Sequence, residues 1–201
     1  MSDYYYEYEW DSKYCYPHSF VLKNKLGIQD GKELAEAERE LTALNLAEIK
    51  EKPVRGHFDL KHLQAIHQAI FRDIFTWAGK LRAVDIAKGN QFCLCQHLES
   101  YAAGIFAELK NENYLLHTPA EAMPERLAYY LSEINVLHPF REGNGRAQRV
   151  FIEYLAQKAG FHVDFSGVTS AEMIEASALS FAREYDKMIS MFQRIVSPAE
   201  H

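Results

Sequence analysis

The sequence predicts an all-α helical domain interrupted by one short β-hairpin, and three observations carry that prediction. Apolar residues recur three and four apart through most of the chain, as at Leu127, Tyr130, Leu131 and Ile134. Period-two alternation is confined to one stretch, where Val84 and Ile86 alternate with Ala83 and Asp85 ahead of the turn pair Gly89-Asn90. Residues suited to capping stand where helical patterns begin, Asp59 and Thr169 among them.

Taken in order, residues 1–25 are rich in Tyr, carry Pro17 and hold no sustained helical period, so they read as an extended arm laid over the domain. Residues 30–49 are strong helix formers, with Leu34, Ala37, Leu41 and Leu44 on one stripe. A second helix, capped by Asp59, presents Leu63, Ile66, Ile70 and Ile74 and is expected to stop near Gly79. The hairpin falls within residues 81–94, with Phe92 and Leu94 after its turn. Helical pattern returns at 98–109, 119–137 and 144–159, then in a segment capped by Thr169 or Ser170 that runs to 179, and in a terminal helix ending near 196. No internal repeat, low-complexity tract or linker interrupts this order, so one domain over residues 1–201 is expected. Its arm and first helix would occupy 1–58, and its core 59–196, with the hairpin near 82–95.

A chain of 201 residues with 48% hydrophobic content, 12 Phe and 12 Tyr can bury one substantial core. A net charge of −6 offers no general attraction to nucleic acid or to an anionic membrane, so direct nucleic-acid binding is not expected. No apolar run approaches the roughly 18 residues needed to span a bilayer, and Met1-Ser2-Asp3-Tyr4 lacks the basic and apolar regions of a signal peptide. The reading is a cytoplasmic protein. Cys15, Cys93 and Cys95 are odd in number and match neither a disulfide framework nor a zinc knuckle, which points to reduced thiols.

The densest polar cluster lies between two helices, in Leu137-His138-Pro139-Phe140-Arg141-Glu142-Gly143-Asn144-Gly145-Arg146-Ala147-Gln148-Arg149. Pro139 restrains His138 from helical conformation, which puts the imidazole on a turn and is expected to expose it. Gly143 and Gly145 allow unusual backbone angles, so consecutive N–H groups can converge on one concavity at the start of the next helix. The helix dipole adds to that attraction for an anion, and Arg146 and Arg149 project from the same first turns. A polyphosphate fits the demand. Glu142 would be repelled by bare phosphate and is better explained if it helps hold a divalent cation, magnesium, between phosphate oxygens.

These residues fill every specified position of His-x-Phe-x-Asp/Glu-Gly-Asn-Gly-Arg-x-x-Arg, and the chain therefore resembles the Fic family of protein adenylyltransferases. The stretch from His67 through Trp77-Ala78-Gly79-Lys80-Leu81-Arg82 is similar to the segment preceding the Fic flap, and Lys88-Gly89 with Phe92-Cys93 is similar to the flap itself. The resemblance implies a Fic-type helical bundle that takes ATP as substrate. It makes His138 the base for a target hydroxyl on Ser, Thr or Tyr, which attacks the α-phosphorus while pyrophosphate leaves. Glu142 would contact magnesium, the Gly143-Asn144-Gly145 backbone and the Asn144 side chain would hold phosphates, and Arg146 and Arg149 would bind the β and γ groups. Phe140 would anchor the loop in the core. The flap, with Ile86, Lys88, Gly89 and Phe92, would dock the target as an added strand. An ordinary His pKa of about 6.5 already leaves the base mostly neutral, so the base role requires no large tuning.

Other readings are blander. Arg141 and Gln148 fill variable positions and are expected to be solvated or locally bonded. His57, His62 and His67 are spaced by five, which misses the helix-face spacing of a metal pair. Phe71 and Trp77 follow a helical apolar pattern and read as core. Asp85 and Lys88 suit target contact or a solvated hairpin face equally.

Many Fic proteins carry an inhibitory helix of pattern Ser/Thr-x-x-x-Glu followed by Gly or Asn, whose glutamate pairs with the last arginine of the signature. Ser180 to Glu184 is followed by Tyr185 and reads as coincidence. The chain thus resembles the stand-alone Fic toxins that a separate small antitoxin inhibits by supplying that glutamate. Targets in that subgroup include the B-type ATPase subunits of the bacterial type II topoisomerases, DNA gyrase and topoisomerase IV. Rival readings are transfer of another phosphate-containing group, disfavoured by the intact Gly143-Asn144-Gly145, and an inactive nucleotide-binding module, disfavoured by the intact His, Glu and Arg positions.

Overall fold

Side-chain capping starts three of the α-helices in the computed structural model, which describes residues 11–199. Helix α1 (Gly31–Glu51) begins where Asp30 accepts from the Lys32 and Glu33 N–H groups, each at 2.9 Å. Helix α2 (Leu60–Phe71) begins where Asp59 accepts from His62 N at 2.8 Å. After α3 (Leu98–Asn111) and α4 (Met123–Leu137), helix α5 (Asn144–Lys158) opens on a left-handed Gly143. Helix α6 (Ser170–Phe181) is capped by the Thr169 hydroxyl, and α7 (Asp186–Ile195) closes the bundle. The hairpin pairs β1 (Ala87–Lys88) with β2 (Asn90–Gln91) across Gly89, whose φ of +70° suits the turn.

Helices α4 and α5 lie at the centre, packed on each other and on α2, α3, α6 and α7. Phe71, Tyr130, Phe140, Phe151 and Phe192 fill the core between them. No helix among the described residues is long and apolar enough to cross a membrane. The three cysteines are free thiols.

Several expectations are corrected. Leu44 is 68% exposed, and α1 instead turns Leu34, Thr42, Asn45 and Ile49 inward. The inward face is polar because it meets polar partners: Asn45 Nδ2 donates to Ile70 O and to Asp73 Oδ2, both at 3.0 Å. Helix α2 stops at Phe71, well short of Gly79, because the chain turns to stack Phe75 on Trp77 at 4.3 Å between ring centroids. Ile74 stays buried beyond the helix end. Gly79 marks a close approach of chains instead of a helix stop, since a Cβ there would lie 2.9 Å from Gln64 O. Helix α4 starts at Met123, later than residue 119, with Pro124 in its first turn.

A second sheet was not expected: β3 (Phe161–Val163) pairs antiparallel with β4 (Val196–Pro198). Strands of three residues are too short to show alternation, and this pairing joins segments on either side of α6 and α7. The arm holds to the domain through Tyr14, buried edge-on against Trp77 at 5.7 Å, and through an antiparallel bridge between Cys15 and Leu22. The Tyr-rich stretch at 1–10 lies outside the described residues.

Candidate active site

Helix α4 delivers His138 to the site. Its C-terminal cap is His138 itself, in left-handed backbone (φ 43°, ψ 61°), a conformation sparsely used by non-glycine residues. Pro139 does enforce a turn there, but the imidazole is not exposed: His138 is 6% accessible. The Phe92 ring lies flat on it, 3.7 Å between centroids and 17° between planes, and Phe181 packs against Phe92 at 5.4 Å. Nδ1 faces Asn135 O at 3.2 Å, and a carbonyl only accepts, so the proton sits on Nδ1 and Nε2 is the basic nitrogen. Burial, helped by the charges of Lys88 and Arg82, pushes the imidazole pKa down to about 3. The base role does not require so large a shift; desolvation under the Phe92 ring is its largest cause.

The loop after His138 is braced from both sides. Phe140 is fully buried and stacks on His67 at 3.8 Å. The Asn144 amide closes a ring with one residue: Oδ1 accepts from Phe140 N at 2.9 Å and Nδ2 donates to Phe140 O at 2.8 Å. Its side chain therefore shapes the loop. His67 Nε2 donates to Glu142 O and its Nδ1 accepts from Gly79 N, both at 2.9 Å, which ties α2 to the loop. The Glu142 carboxylate accepts from Gly143 N at 2.9 Å.

The two arginines differ. Arg146 is held by an ion pair to Glu38, a 3.1 Å bond to the Thr42 hydroxyl and the face of Phe71, 4.7 Å from its guanidinium. Arg149 makes no hydrogen bond or ion pair among the described residues; its charged neighbours are Arg146 and Glu153. Burial and the like charge of Arg146 lower its pKa.

These groups face one cavity of about 380 Å³. Its floor is His138, Glu142, Gly143, Gly145, Arg146 and Arg149, and Lys88 and Phe92 reach it from the hairpin. The far wall is α6, with Met173, Ile174, Ser177 and Phe181, an apolar surface suited to a base or ring. Sequence reasoning missed that wall, together with Glu38 and Thr42. An amphipathic helix signals burial but not which cavity it closes. Of the other hairpin residues, Ile86 is 2% accessible in the hairpin's underside and Gly89 sits at its tip.

At the two variable positions the side chains are bonded instead of solvated. Arg141 is buried, ion-paired with Asp11 at 3.2 Å, and Gln148 is buried with its amide on Ile134 O. Neither is solvated. Phe71 and Trp77 are core, as their spacing implies.

No group of three or more His, Cys, Asp or Glu among the described residues forms a metal cage. Among the described residues, Glu142 is the one carboxylate lining the cavity. A single carboxylate still fits magnesium, which keeps waters and draws further ligands from substrate phosphates.

Of the buried histidines, His67 and His138 are the most strongly shifted and set an acid limit on stability. A native imidazole with a pKa of about 3 excludes the proton that the unfolded chain binds below about 6.5. Stability is therefore fully present above about pH 6.5 and is lost as pH falls toward 3. The burial-raised Glu38 and Glu153 carboxyls oppose this trend, so the comparison is best made by difference. His67→Gln keeps a donor and an acceptor but cannot titrate. In urea unfolding between pH 6 and 5, the wild type should lose about 1 kcal/mol per pH unit more than this variant. Equal slopes would show that His67 charges in the folded state.

Fold and cavity together define a helical enzyme domain built to hold a nucleotide. Residues 57–156 match the Fic/DOC family model. The chain is 42% identical over 188 residues to "Probable protein adenylyltransferase Fic" of Salmonella typhimurium, covering 92% of each protein. It is 40% identical over 182 residues to protein adenylyltransferase VbhT of Bartonella schoenbuchensis, covering 90% of this chain and 38% of VbhT. Among solved structures, Bartonella tribocorum BepC with bound AMPPNP superposes with a TM-score of 0.87 at 29% identity, covering 94% of this chain and 98% of that one. The N-terminal Fic domain of a Bartonella quintana Bep effector with bound ADP gives 0.88 at 30%, covering 94% and 96%. The chain belongs to the Fic/DOC family, and by class it is a protein adenylyltransferase.

Proposed function

We propose that this enzyme transfers AMP from ATP to a Ser, Thr or Tyr hydroxyl of another protein, with His138 as the base. The observation that carries the reading is a histidine held neutral, with Nε2 basic, on the same cavity as a helix N-terminus and two arginines. Nε2 takes the hydroxyl proton as the oxygen attacks the α-phosphorus; the bond to the bridging oxygen breaks and pyrophosphate leaves. The Gly143 to Gly145 backbone and the dipole of α5 hold phosphate oxygens, and Asn144 contributes by bracing that loop. Arg146, pre-oriented by Glu38 and Thr42, and Arg149 take the β and γ groups. Glu142 would hold magnesium, which when bound offsets phosphate charge. The hairpin, with Ile86, Lys88, Gly89 and Phe92, receives the target backbone as an added strand.

The test uses α-labelled and, separately, γ-labelled ATP with host lysate, followed by mass identification of labelled proteins. Label from the α position supports AMP transfer; label from the γ position alone would establish phosphorylation instead.

We further propose that the chain is the toxin of a toxin–antitoxin pair in the cytoplasm, acting on B-type subunits of type II topoisomerases. Two features support an inhibitor supplied by another chain. Arg149 has no carboxylate within ion-pair distance among the described residues, and Glu184 is exposed beyond the end of α6, after a left-handed Arg183. A bidentate Arg–carboxylate contact tolerates Lys poorly. Arg149→Lys should raise the KM for ATP about tenfold or more and weaken inhibition by the antitoxin in parallel. Unchanged inhibition in an enzyme with impaired ATP binding would place the antitoxin's contact elsewhere.

A further inference from the structure

We infer that Arg82 is a positioning residue that locks both legs of the hairpin to the catalytic turn, fixing the distance between the docked target hydroxyl and His138. The inference rests on the proposed transfer reaction. The Arg82 side chain is 0% exposed and does not line the nucleotide cavity. Its donors spread to three backbone carbonyls in three segments. Nε donates to His138 O at 2.9 Å, one terminal nitrogen donates to Val84 O at 2.7 Å, and the other donates to Cys93 O. Its own N–H donates to Pro139 O at 2.9 Å, and the N–H of Cys93 donates to Val136 O at 3.0 Å. Val84 leads into the hairpin and Cys93 leaves it, so one guanidinium ties entry, exit and catalytic turn together.

The chemistry explains why arginine stands there. A buried cation is costly unless its donors are satisfied, and here carbonyl dipoles satisfy them; the Asp85 carboxylate lies 3.7 Å away and is half exposed. A planar fork reaches three carbonyls in fixed directions, whereas a lysine ammonium is a single point. The grip on His138 O also holds that residue in its left-handed conformation, which non-glycine residues use sparsely. Phe92, stacked on the imidazole, is the residue next to the anchored Cys93. A loosened Arg82 would therefore shift base and hairpin relative to each other, while the phosphate cradle on α5 stays in place.

The test is Arg82→Lys in the full chain, with three measurements: AMP transfer from α-labelled ATP into lysate proteins, AMPPNP affinity by calorimetry, and amide hydrogen exchange. The expected result is an apparent kcat reduced by about a hundredfold, with the KM for ATP and the AMPPNP Kd within about twofold of wild type. Exchange should quicken at the Phe92, Cys93 and Arg82 amides and stay unchanged along α5. A folded variant that transfers at the wild-type rate, or that loses AMPPNP affinity in step with transfer, overturns the inference. If the wild type transfers no AMP, the proposed reaction fails on its own, and the exchange data still decide the tie: unchanged hairpin exchange overturns it. Should Arg82→Lys not fold, Asp85→Asn removes the nearest counter-charge while keeping an acceptor for Cys95 N. That variant should lose transfer about threefold or more at constant AMPPNP affinity; wild-type transfer and exchange would overturn the inference.

Discussion

His138→Ala should lower AMP transfer by about a thousandfold or more while leaving AMPPNP affinity within a few-fold of wild type. General base catalysis typically contributes a factor of about 10² to 10⁴, and the remaining catalysis comes from the phosphate-binding groups. The separation follows from the site's layout. His138 sits on the turn at the end of α4 under the Phe92 ring, whereas the arginines and the glycine loop belong to α5. Burial holds its imidazole pKa well below the ordinary value, so the transfer rate should not fall through a His138 titration near pH 6.5. A variant that lost nucleotide affinity in equal measure would show that the ring holds ATP instead of acting on the incoming hydroxyl.

Gly143→Ala should lower stability, nucleotide affinity or both. Gly143 has φ +80°, a region that costs a residue with a Cβ about 1–2 kcal/mol. The added Cβ would also lie 2.2 Å from Phe71 Cζ. That ring cannot retreat easily, because it stacks on His67 at 4.6 Å and carries the Arg146 guanidinium over its face. Overpacking of this kind costs about 1–3 kcal/mol, so the two effects together lower stability by about 2–5 kcal/mol. Either the fold loses that stability or the loop moves away and the phosphate cradle opens. Both outcomes register in one pair of experiments, thermal unfolding and AMPPNP titration. A variant with wild-type melting temperature and wild-type affinity would mean that the loop's tight fit to Phe71 is immaterial.

Much of the fold is legible wherever the determinant is local. Asp59 and Thr169 announce their helices because a side-chain oxygen two or three residues ahead of a free N–H can satisfy it wherever the rest of the chain lies. Gly89-Asn90 marks the hairpin for the same kind of reason. The end of α2 was not legible, because Ile74 continues an apolar period that the aromatic packing of Phe75 and Trp77 overrides. Nor was the inward face of α1, where Leu44 looks like core and Thr42 is core, since a polar face is buried only if another element brings it partners. The β3–β4 pair joins segments that carry no alternation of their own.

The sequence by itself determined the chemistry of the site: a base, an acid, a glycine loop and two arginines lie within residues 138–149, close enough that backbone sterics and one helix start bring them together. Only the tertiary structure decided their environment. It put Phe92 over His138, Glu38 and Thr42 beside Arg146, Asp11 on Arg141, Arg82 beneath the hairpin and α6 across the cavity. The division has one physical cause. Dihedral restriction and capping act over a few residues and are written where they operate, whereas desolvation and ion pairing depend on which distant surfaces meet. The pKa of His138, the property that most shapes its proposed role as a base, is therefore set by groups as far away in the chain as Arg82 and Phe92.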